Sequence, residues 1–200
     1  MYKILFGAIL VIFSHPVLAQ GDASRAEGLV VACGACHGSD GNSPAGAFPN
    51  IGGQHYNYLL KQLNDIKSGA RPVAVMAGQL DNMSEQDLED IAAFYAGQPI
   101  ARGAADPEKV ELGETIYRAG IARKNVAACT ACHMPNGKGN NAAKFPVLSG
   151  QWPEYTVSQL NMFRSGERKN DGDSRMMRTV AMDLSDEEIA AVASYIRGLQ

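Results

Sequence analysis

Two copies of one pentapeptide pattern, Cys-x-x-Cys-His, contain all four cysteines of this 200-residue chain. They are Cys33-Gly34-Ala35-Cys36-His37 and Cys129-Thr130-Ala131-Cys132-His133. The spacing puts two thiols on about one helical turn with an imidazole beside them, which is the attachment signature of c-type haem. In each copy we expect the two cysteines to bind a haem covalently and the histidine to be an axial iron ligand.

Three other uses of paired cysteines compete with haem attachment. A zinc site built from both motifs would leave the two histidines without a role, and a thioredoxin-like centre needs a βαβ setting that the sequence does not show. Disulfides suit an oxidising compartment, but they also leave the histidines unused. Two covalently bound haem c groups are therefore the preferred interpretation.

The first twenty residues resemble an export signal. Lys3 is followed by the apolar run Ile4 to Phe13 and then by Val17-Leu18-Ala19, which suits signal peptidase. We expect residues 1–19 to be a signal peptide cleaved near Ala19, which would place the mature protein in the periplasm. The apolar run is shorter than the roughly 18 residues of a membrane span, so an uncleaved anchor is the minor alternative. Peripheral membrane association stays open.

The sequence repeats itself at offsets of 96 to 101 residues. The matching pairs are Phe48-Pro49 with Phe145-Pro146, Gly53-Gln54 with Gly150-Gln151, Tyr58 with Tyr155, and the run Met76 to Ser84 with Met177 to Ser185. Two homologous domains are therefore expected, at residues 21–97 and 107–200. Residues 98–106, with Pro99 and Gly103, are expected to form the linker.

Within each domain the apolar periodicity is helical, and no alternating strand pattern competes with it. Capping boxes predict the start of the last helix in each domain, at Ser84 with Asp87 and at Ser185 with Glu188. Middle helices are expected over about 54–67 and 151–164. Gly28 and Gly113 are taken as equivalents in the helix before each haem motif, which implies a surface loop of about eleven extra residues before Cys129.

Met76 and Met177 are the expected sixth iron ligands. They are the methionines that occupy equivalent places in the two repeats, each eight residues before the serine that caps the last helix. Iron held by His and Met is closed to small molecules and has a raised potential, which favours electron transfer. The other methionines are expected to pack, and Met176 is the strongest competitor because it adjoins Met177.

We also expect polar residues to contact the haems. His55 aligns with Trp152, so ligation by His55 is disfavoured and a polar contact near the haem edge is expected. Burying haem carboxylates unpaired is costly, so they need hydrogen-bond donors. The candidate donors are Tyr58, Tyr155, Trp152 and Arg71. Alternatively, the aromatic side chains simply line the haem pockets.

Several short motifs together with the duplicated haem signature resemble the cytochrome c4 family. They are Asp40-Gly41-Asn42-Ser43-Pro44, Phe48-Pro49 followed by Gly53-Gln54, Leu60-Lys61-Gln62-Leu63, and Asn170-Asp171-Gly172-Asp173 ahead of Met177. The resemblance covers the whole mature chain. It implies an all-α protein of two tandem class I cytochrome c domains, each wrapped around one covalent haem, with the haem edges facing. It also implies His and Met ligation, with the methionines at Met76 and Met177.

Charge differs between the two parts of the chain. Residues 21–97 contain four Lys and Arg against nine Asp and Glu, whereas residues 98–200 contain thirteen against twelve. Such a polarity can orient the approach of a charged partner, and we hypothesise that the two domains dock different partners or that the molecule presents itself to partners in a fixed direction. The alternative is a surface whose charge only maintains solubility. Nucleic-acid binding is disfavoured because the net charge is −3 and no basic stripe is present.

Three function classes follow from these features. The first is a periplasmic one-electron carrier without a small-molecule substrate, which the family resemblance connects to a respiratory donor and a terminal oxidase. The second is a dihaem electron-transfer subunit of a larger periplasmic dehydrogenase. The third is a dihaem peroxidase, which would need an open iron and an acid–base residue above it. Equivalent methionines in both repeats argue against the third class.

Overall fold

A computed structural model describes residues 21–200, which are predominantly helical. The predicted signal peptide lies outside these residues. Within them the α-helices are α1 (Val31–His37), α2 (Tyr56–Lys67), α3 (Glu85–Ala96), α4 (Val110–Ala119), α5 (Thr130–His133), α6 (Pro153–Ser165), α7 (Met176–Ala181) and α8 (Asp186–Gly198). Residues 21–200 contain two isolated β-bridges and no strand, and no helix among them is long and apolar enough to cross a bilayer. The all-α prediction is confirmed.

The last helix of each half, α3 and α8, begins at a predicted capping box. Ser84 Oγ accepts the backbone N–H of Asp87 at 3.1 Å, and the Asp87 carboxylate accepts the backbone N–H of Ser84 at 2.7 Å. Ser185 and Glu188 form the same pair of bonds at 3.2 and 2.8 Å. These bonds satisfy N–H groups that have no partner inside the helix. Both predicted capping boxes are confirmed.

The middle helices α2 and α6 begin two residues later than predicted. The residue before each helix, His55 or Trp152, has extended backbone with ψ near 130°. The side chain of Gln54 accepts the N–H of His55 at 2.9 Å, and Gln151 does the same for Trp152 at 3.0 Å. This local bond offers the backbone an alternative to helix, so the helix starts after it.

The expected equivalence of Gly28 and Gly113 is wrong. Gly113 lies inside α4, where a Cβ atom would fall 2.3 Å from the carbonyl oxygen of Ala191 on α8. Gly28 lies in a turn after the 3₁₀ helix Ala23–Ala26, and a Cβ atom there would meet nothing within 4 Å. Gly113 is therefore required by close packing against α8, whereas Gly28 is in a turn and has no such contact.

Gly21 is a closer counterpart of Gly113. A Cβ atom on Gly21 would fall 2.1 Å from the carbonyl carbon of Glu89 on α3, the helix that corresponds to α8. Twelve residues separate Gly21 from Cys33 and sixteen separate Gly113 from Cys129, so the extra stretch has four residues rather than eleven. It forms an exposed loop closed by a bridge between Ile121 and Val126.

Each half packs its own apolar core around its last helix. In the first half, residues 21–97, α3 packs against α2 and the 3₁₀ helix. The buried core residues there are Ala26, Val30, Leu59, Ile91, Ala92 and Tyr95. In the second half, residues 98–200, α8 packs against α4 and α6. Its buried core includes Ile116, Tyr117, Val126, Leu184, Ile189, Val192 and Ile196.

The two halves meet through polar contacts arranged in a two-fold pattern. The side-chain amide of Gln54 exchanges two hydrogen bonds with the backbone of Val147, at 2.9 and 2.8 Å. Gln151 exchanges two with the backbone of Asn50, both at 2.8 Å. Gln151 and Val147 each lie 97 positions after their counterparts Gln54 and Asn50. The interface therefore follows the sequence repeat, as an isologous contact does in a symmetric dimer.

Candidate haem sites

The first Cys-x-x-Cys-His motif forms most of helix α1. Gly38, with φ of 78°, ends the helix directly after the motif, and His37 is buried. The Nδ1 atom of His37 lies 3.0 Å from the carbonyl oxygen of Pro49. A ring that donates from Nδ1 keeps the lone pair of Nε2 available for a metal and has a fixed orientation.

The second motif has the same arrangement on a shorter helix. Cys129 is the N-cap of α5, and His133 is buried with Nδ1 3.0 Å from the carbonyl oxygen of Pro146. Burial lowers the pKa of both imidazoles, His37 and His133, which favours the neutral ring that binds iron. Met134, with φ of 65°, ends α5.

No disulfide joins the four cysteines, which lie in partly buried positions. Burial raises the pKa of the Cys33 thiol, and it raises that of Cys129 to about 11. A raised pKa is the opposite of what an exchanging redox dithiol shows. Two unpaired thiols and a carbonyl-anchored imidazole on one short helix are the donor set that a c-type haem requires, so the residues fit this group at both motifs.

The structure separates the methionines by exposure. Met76 ends the 3₁₀ helix Ala74–Met76 and Met177 lies in the first turn of α7, and both side chains are half-buried. Met176 is 44% exposed and Met182 is 58% exposed. Exposed methionines are poorly placed to bind an iron inside a haem pocket, which disfavours Met176 and Met182. Met83 and Met162 are also half-buried, so the choice of Met76 and Met177 still rests on their equivalent places in the two repeats. Their role as sixth ligands stays a prediction.

The polar residues singled out in the sequence lie at the interface between the halves. His55 Nε2 donates to the carbonyl oxygen of Lys138 at 2.6 Å, and Trp152 Nε1 donates to that of Ser43 at 3.0 Å. Both bonds cross between the halves. His55 and Trp152 therefore have equivalent structural roles, as their alignment in the repeat suggests.

The structure brings Arg71 and the two tyrosines together with a residue that the sequence analysis missed. Arg71 donates to the hydroxyl of Tyr155, and Arg168 donates to that of Tyr58. Arg168 lies 97 positions after Arg71, the same offset that relates the tyrosines. The repeat therefore contained the signal that could have identified Arg168.

Comparison with known proteins places these sites in a family. The family model for cytochrome c matches residues 23–96 and again residues 110–200. Cytochrome c4 of Azotobacter vinelandii is 51% identical over 190 residues, which covers 90% of this chain and 90% of that protein. The crystal structure of reduced recombinant cytochrome c4 from Pseudomonas stutzeri matches with a TM-score of 0.89 and 51% identity, over 90% of this chain and 100% of that chain.

A relative that has a different name is also similar to this chain over most of the length of both proteins. The thiosulfate dehydrogenase electron acceptor of Stutzerimonas stutzeri (strain A1501) is 37% identical over 183 residues, which covers 90% of this chain and 82% of that protein. Its similarity extends across both Cys-x-x-Cys-His motifs, because so large a share of this chain cannot omit either of them.

Proposed function

The chain belongs to the cytochrome c4 family, and on that premise we propose that it carries single electrons between respiratory enzymes of the periplasm without catalysing a reaction itself. It binds two haem c groups, one at each Cys-x-x-Cys-His motif, and each bound haem supplies a one-electron iron couple. The observation that carries the proposal is the repeated donor set, two thiols and a buried imidazole held by a proline carbonyl.

The proposal gives each site residue a role. The thiols that form thioether bonds are Cys33 and Cys36 for the first haem and Cys129 and Cys132 for the second. The axial ligands are His37 with Met76 and His133 with Met177. The carbonyl oxygens of Pro49 and Pro146 orient the two imidazoles by accepting their Nδ1 protons. Closed ligation leaves little reorganisation at the iron, which suits outer-sphere electron transfer.

Carbon monoxide binding to the reduced holoprotein tests this ligation. We expect no spectral shift in the natural protein, because both irons have a sixth ligand. Met76→Ala and Met177→Ala should each open one iron, so that each variant binds one equivalent of carbon monoxide and has a lower reduction potential at that haem. Met176→Ala is the matched control because its side chain is exposed, and it should behave as the natural protein does.

Two outcomes would contradict the proposal. Unchanged spectra in Met76→Ala or Met177→Ala would show that another group ligates that iron. Stoichiometric carbon monoxide binding by the natural protein would show an open iron and would favour the peroxidase class.

The second candidate function is that of a dedicated electron-transfer partner of a periplasmic dehydrogenase. The observation that favours it is the 37% identity to a protein named as a thiosulfate dehydrogenase electron acceptor. Stopped-flow reduction by a thiosulfate dehydrogenase with thiosulfate, compared with oxidation by a terminal oxidase, distinguishes the two functions. Fast reduction together with co-purification of the dehydrogenase would favour this second function, whereas fast turnover with the oxidase alone would favour the general carrier.

The proposal also includes export of the protein to the periplasm. We expect the exported protein to lose residues 1–19, so the intact mass of the purified holoprotein should correspond to a chain that begins at Gln20 with two haems added. The membrane and soluble fractions of the cells will report any peripheral membrane association.

A further inference from the structure

One buried hydroxyl beside the first haem motif has no hydrogen-bond partner. The side chain of Tyr95, on α3, is 1% exposed. Among residues 21–200, its hydroxyl oxygen and the side-chain oxygen of Asn42 are the two buried side-chain polar atoms without a partner. The Asn42 amide still donates through its nitrogen, to Asp40 and Pro99, whereas the hydroxyl is the whole polar part of Tyr95. An unpaired buried hydroxyl is costly, so this position requires an explanation.

Cys33 is the polar group that adjoins this hydroxyl. It is the first cysteine of the motif, and it packs against the buried core of the first half, to which Tyr95 belongs. Burial raises the pKa of the Tyr95 phenol, and the charge and hydrogen bonding of Cys33 raise it further. For the Cys33 thiol, burial raises the pKa and hydrogen bonding from Tyr95 opposes this change. Hydrogen bonding raises the pKa of a donor and lowers that of an acceptor, so Tyr95 faces Cys33 as a donor.

Haem attachment changes what the Cys33 sulfur can bind. As a thiol it carries a hydrogen, which it donates to the carbonyl oxygen of Leu29 at 3.9 Å. When the thiol adds across a vinyl group, the sulfur bonds to one vinyl carbon and the hydrogen is transferred to the other. The resulting thioether has no hydrogen to donate and is a weak acceptor only. The hydroxyl of Tyr95 is a donor that still has its hydrogen bond to make.

The second haem motif has no such hydroxyl among the described residues. Ile196 follows Tyr95 by 101 positions and takes its place on α8, where it is 3% exposed. The buried tyrosine beside Cys129 is Tyr117 of α4, and its hydroxyl already donates to the carbonyl oxygen of Met134 at 2.8 Å. The two haem sites therefore share their thiols, imidazoles and proline carbonyls but differ in one free hydroxyl.

We propose that the Tyr95 hydroxyl donates a hydrogen bond to the Cys33 thioether sulfur of the first haem, and that this bond raises the reduction potential of that haem alone. The bond draws electron density away from the haem, which favours the reduced iron with its additional electron. The proposal rests on the covalent haem attachment of the proposed function. Its failure would leave the carrier function standing, because attachment and iron ligation do not need the hydroxyl.

Tyr95→Phe tests the bond because it removes the hydroxyl and keeps the ring. A redox titration followed by NMR, with the methyl signals of each haem assigned to its half, gives the two potentials separately. We expect the equilibrium constant for reducing the first haem to fall about twofold, a fraction of what one hydrogen bond contributes, and that for the second haem to stay unchanged. The intact mass of the same sample shows whether both haems are attached, which separates failed attachment from a lost hydrogen bond.

Guanidinium unfolding of the holoprotein gives a second measurement. Removing a bonded hydroxyl destabilises a protein, whereas removing an unpaired one is neutral or stabilising, so we expect Tyr95→Phe to raise the equilibrium constant for unfolding about fivefold. Tyr195→Phe is the matched control. Its hydroxyl, on α8, donates to the carboxylate of Glu114 at 3.4 Å and not to a sulfur, so its loss should leave both haem potentials unchanged.

Unchanged potentials in Tyr95→Phe would overturn the proposal whatever the stability of the variant. Together with a higher unfolding midpoint, they would show that the hydroxyl is unpaired in the holoprotein. Together with a lower midpoint, they would show that the hydroxyl bonds to another group, such as a buried water molecule. An equal shift of both haem potentials would also overturn it, because a bond at one sulfur acts on one haem.

Discussion

At the residue scale, the chain handles buried charge in two ways. The side chain of Asp90 is 2% exposed and binds Arg25 at 2.8 Å, and it also accepts the backbone N–H of Asp22 at 2.6 Å. The protein therefore supplies the whole counter-charge for Asp90, and this site joins the start of the described chain to α3. Arg71 and Arg168, 8% and 6% exposed, instead donate to neutral oxygens of glutamine and tyrosine side chains from both halves.

Asp90→Asn tests the structural pair through its pH dependence. The hydrogen bond from Arg25 outweighs burial and holds the pKa of the Asp90 carboxyl well below its ordinary value of 3.8. A group with a lowered pKa stabilises the fold above its ordinary value, and this stability is lost as the pH falls towards the lowered one. We expect Asp90→Asn to lower the melting temperature of the holoprotein at neutral pH.

The difference between Asp90→Asn and the natural protein should shrink as the pH falls from about 5 to about 2, because the natural protein loses the carboxylate contribution over that range. Asp81→Asn, at an exposed position, is the control and should have little effect at either pH. A difference that stays constant over this range would contradict the assignment of the pKa shift to Asp90.

At the element scale, the sequence predicted those structural features that depend only on residues close together in the chain. Ser84 and Ser185 begin their helices because each capping box is complete within four residues. The start of α2 could not be predicted from periodicity, since it depends on Gln54, whose amide is fixed by Val147 of the other half. Arg71 meets Tyr155 across 84 positions, so that contact depends on how the two halves are placed. The cysteines and histidines expected to bind haem could be identified from the sequence because each motif is a run of five consecutive residues.

The substitutions Gly113→Ala and Gly28→Ala test the different roles of two glycines that the sequence comparison wrongly treated as equivalent. The added methyl group at Gly113 would fall 2.3 Å from the carbonyl oxygen of Ala191, so α4 and α8 must move apart. We expect Gly113→Ala to destabilise the protein by about 1–3 kcal/mol. Gly28→Ala meets no neighbouring atom and restricts the unfolded chain, so it should be neutral or stabilise by up to about 1 kcal/mol.

Guanidinium unfolding of the two glycine variants of the holoprotein, followed by circular dichroism, measures these changes. Equal destabilisation by the two substitutions would mean that Gly28 also lies in a close helix contact. No destabilisation by Gly113→Ala would mean that α4 and α8 do not approach as closely as the structure shows.

At the scale of the whole molecule, two separate apolar cores are joined by a polar interface. Polar contacts such as those of Gln54, Gln151 and Trp152 are directional, so they specify one relative arrangement of the halves. The net charges of the halves differ nonetheless, with the acidic excess in residues 21–97. Val75 and Met176, the neighbours of the proposed ligands Met76 and Met177, are exposed on their respective halves. The two halves thus offer partners similar apolar contacts in different electrostatic surroundings.

Reaction with a small anionic oxidant tests whether the charge difference between the halves directs the approach of a charged molecule. The segment between α6 and α7 leads to Met177 and exposes residues of both signs, Lys169 and Arg175 with Glu167 and Asp173. The first half has an excess of five acidic residues and the second half an excess of one basic residue, so ferricyanide should react preferentially through the second half, which repels an anion less. We expect Lys169→Glu to slow oxidation of the reduced holoprotein about twofold or more at low ionic strength, and this effect should fade as salt screens the charge. Arg102→Glu, at an exposed position in the segment predicted to be the linker, is the control and should have a smaller effect in stopped-flow measurements. Equal slowing by both substitutions, or an unchanged salt dependence in Lys169→Glu, would mean that the charge difference maintains solubility and does not direct docking.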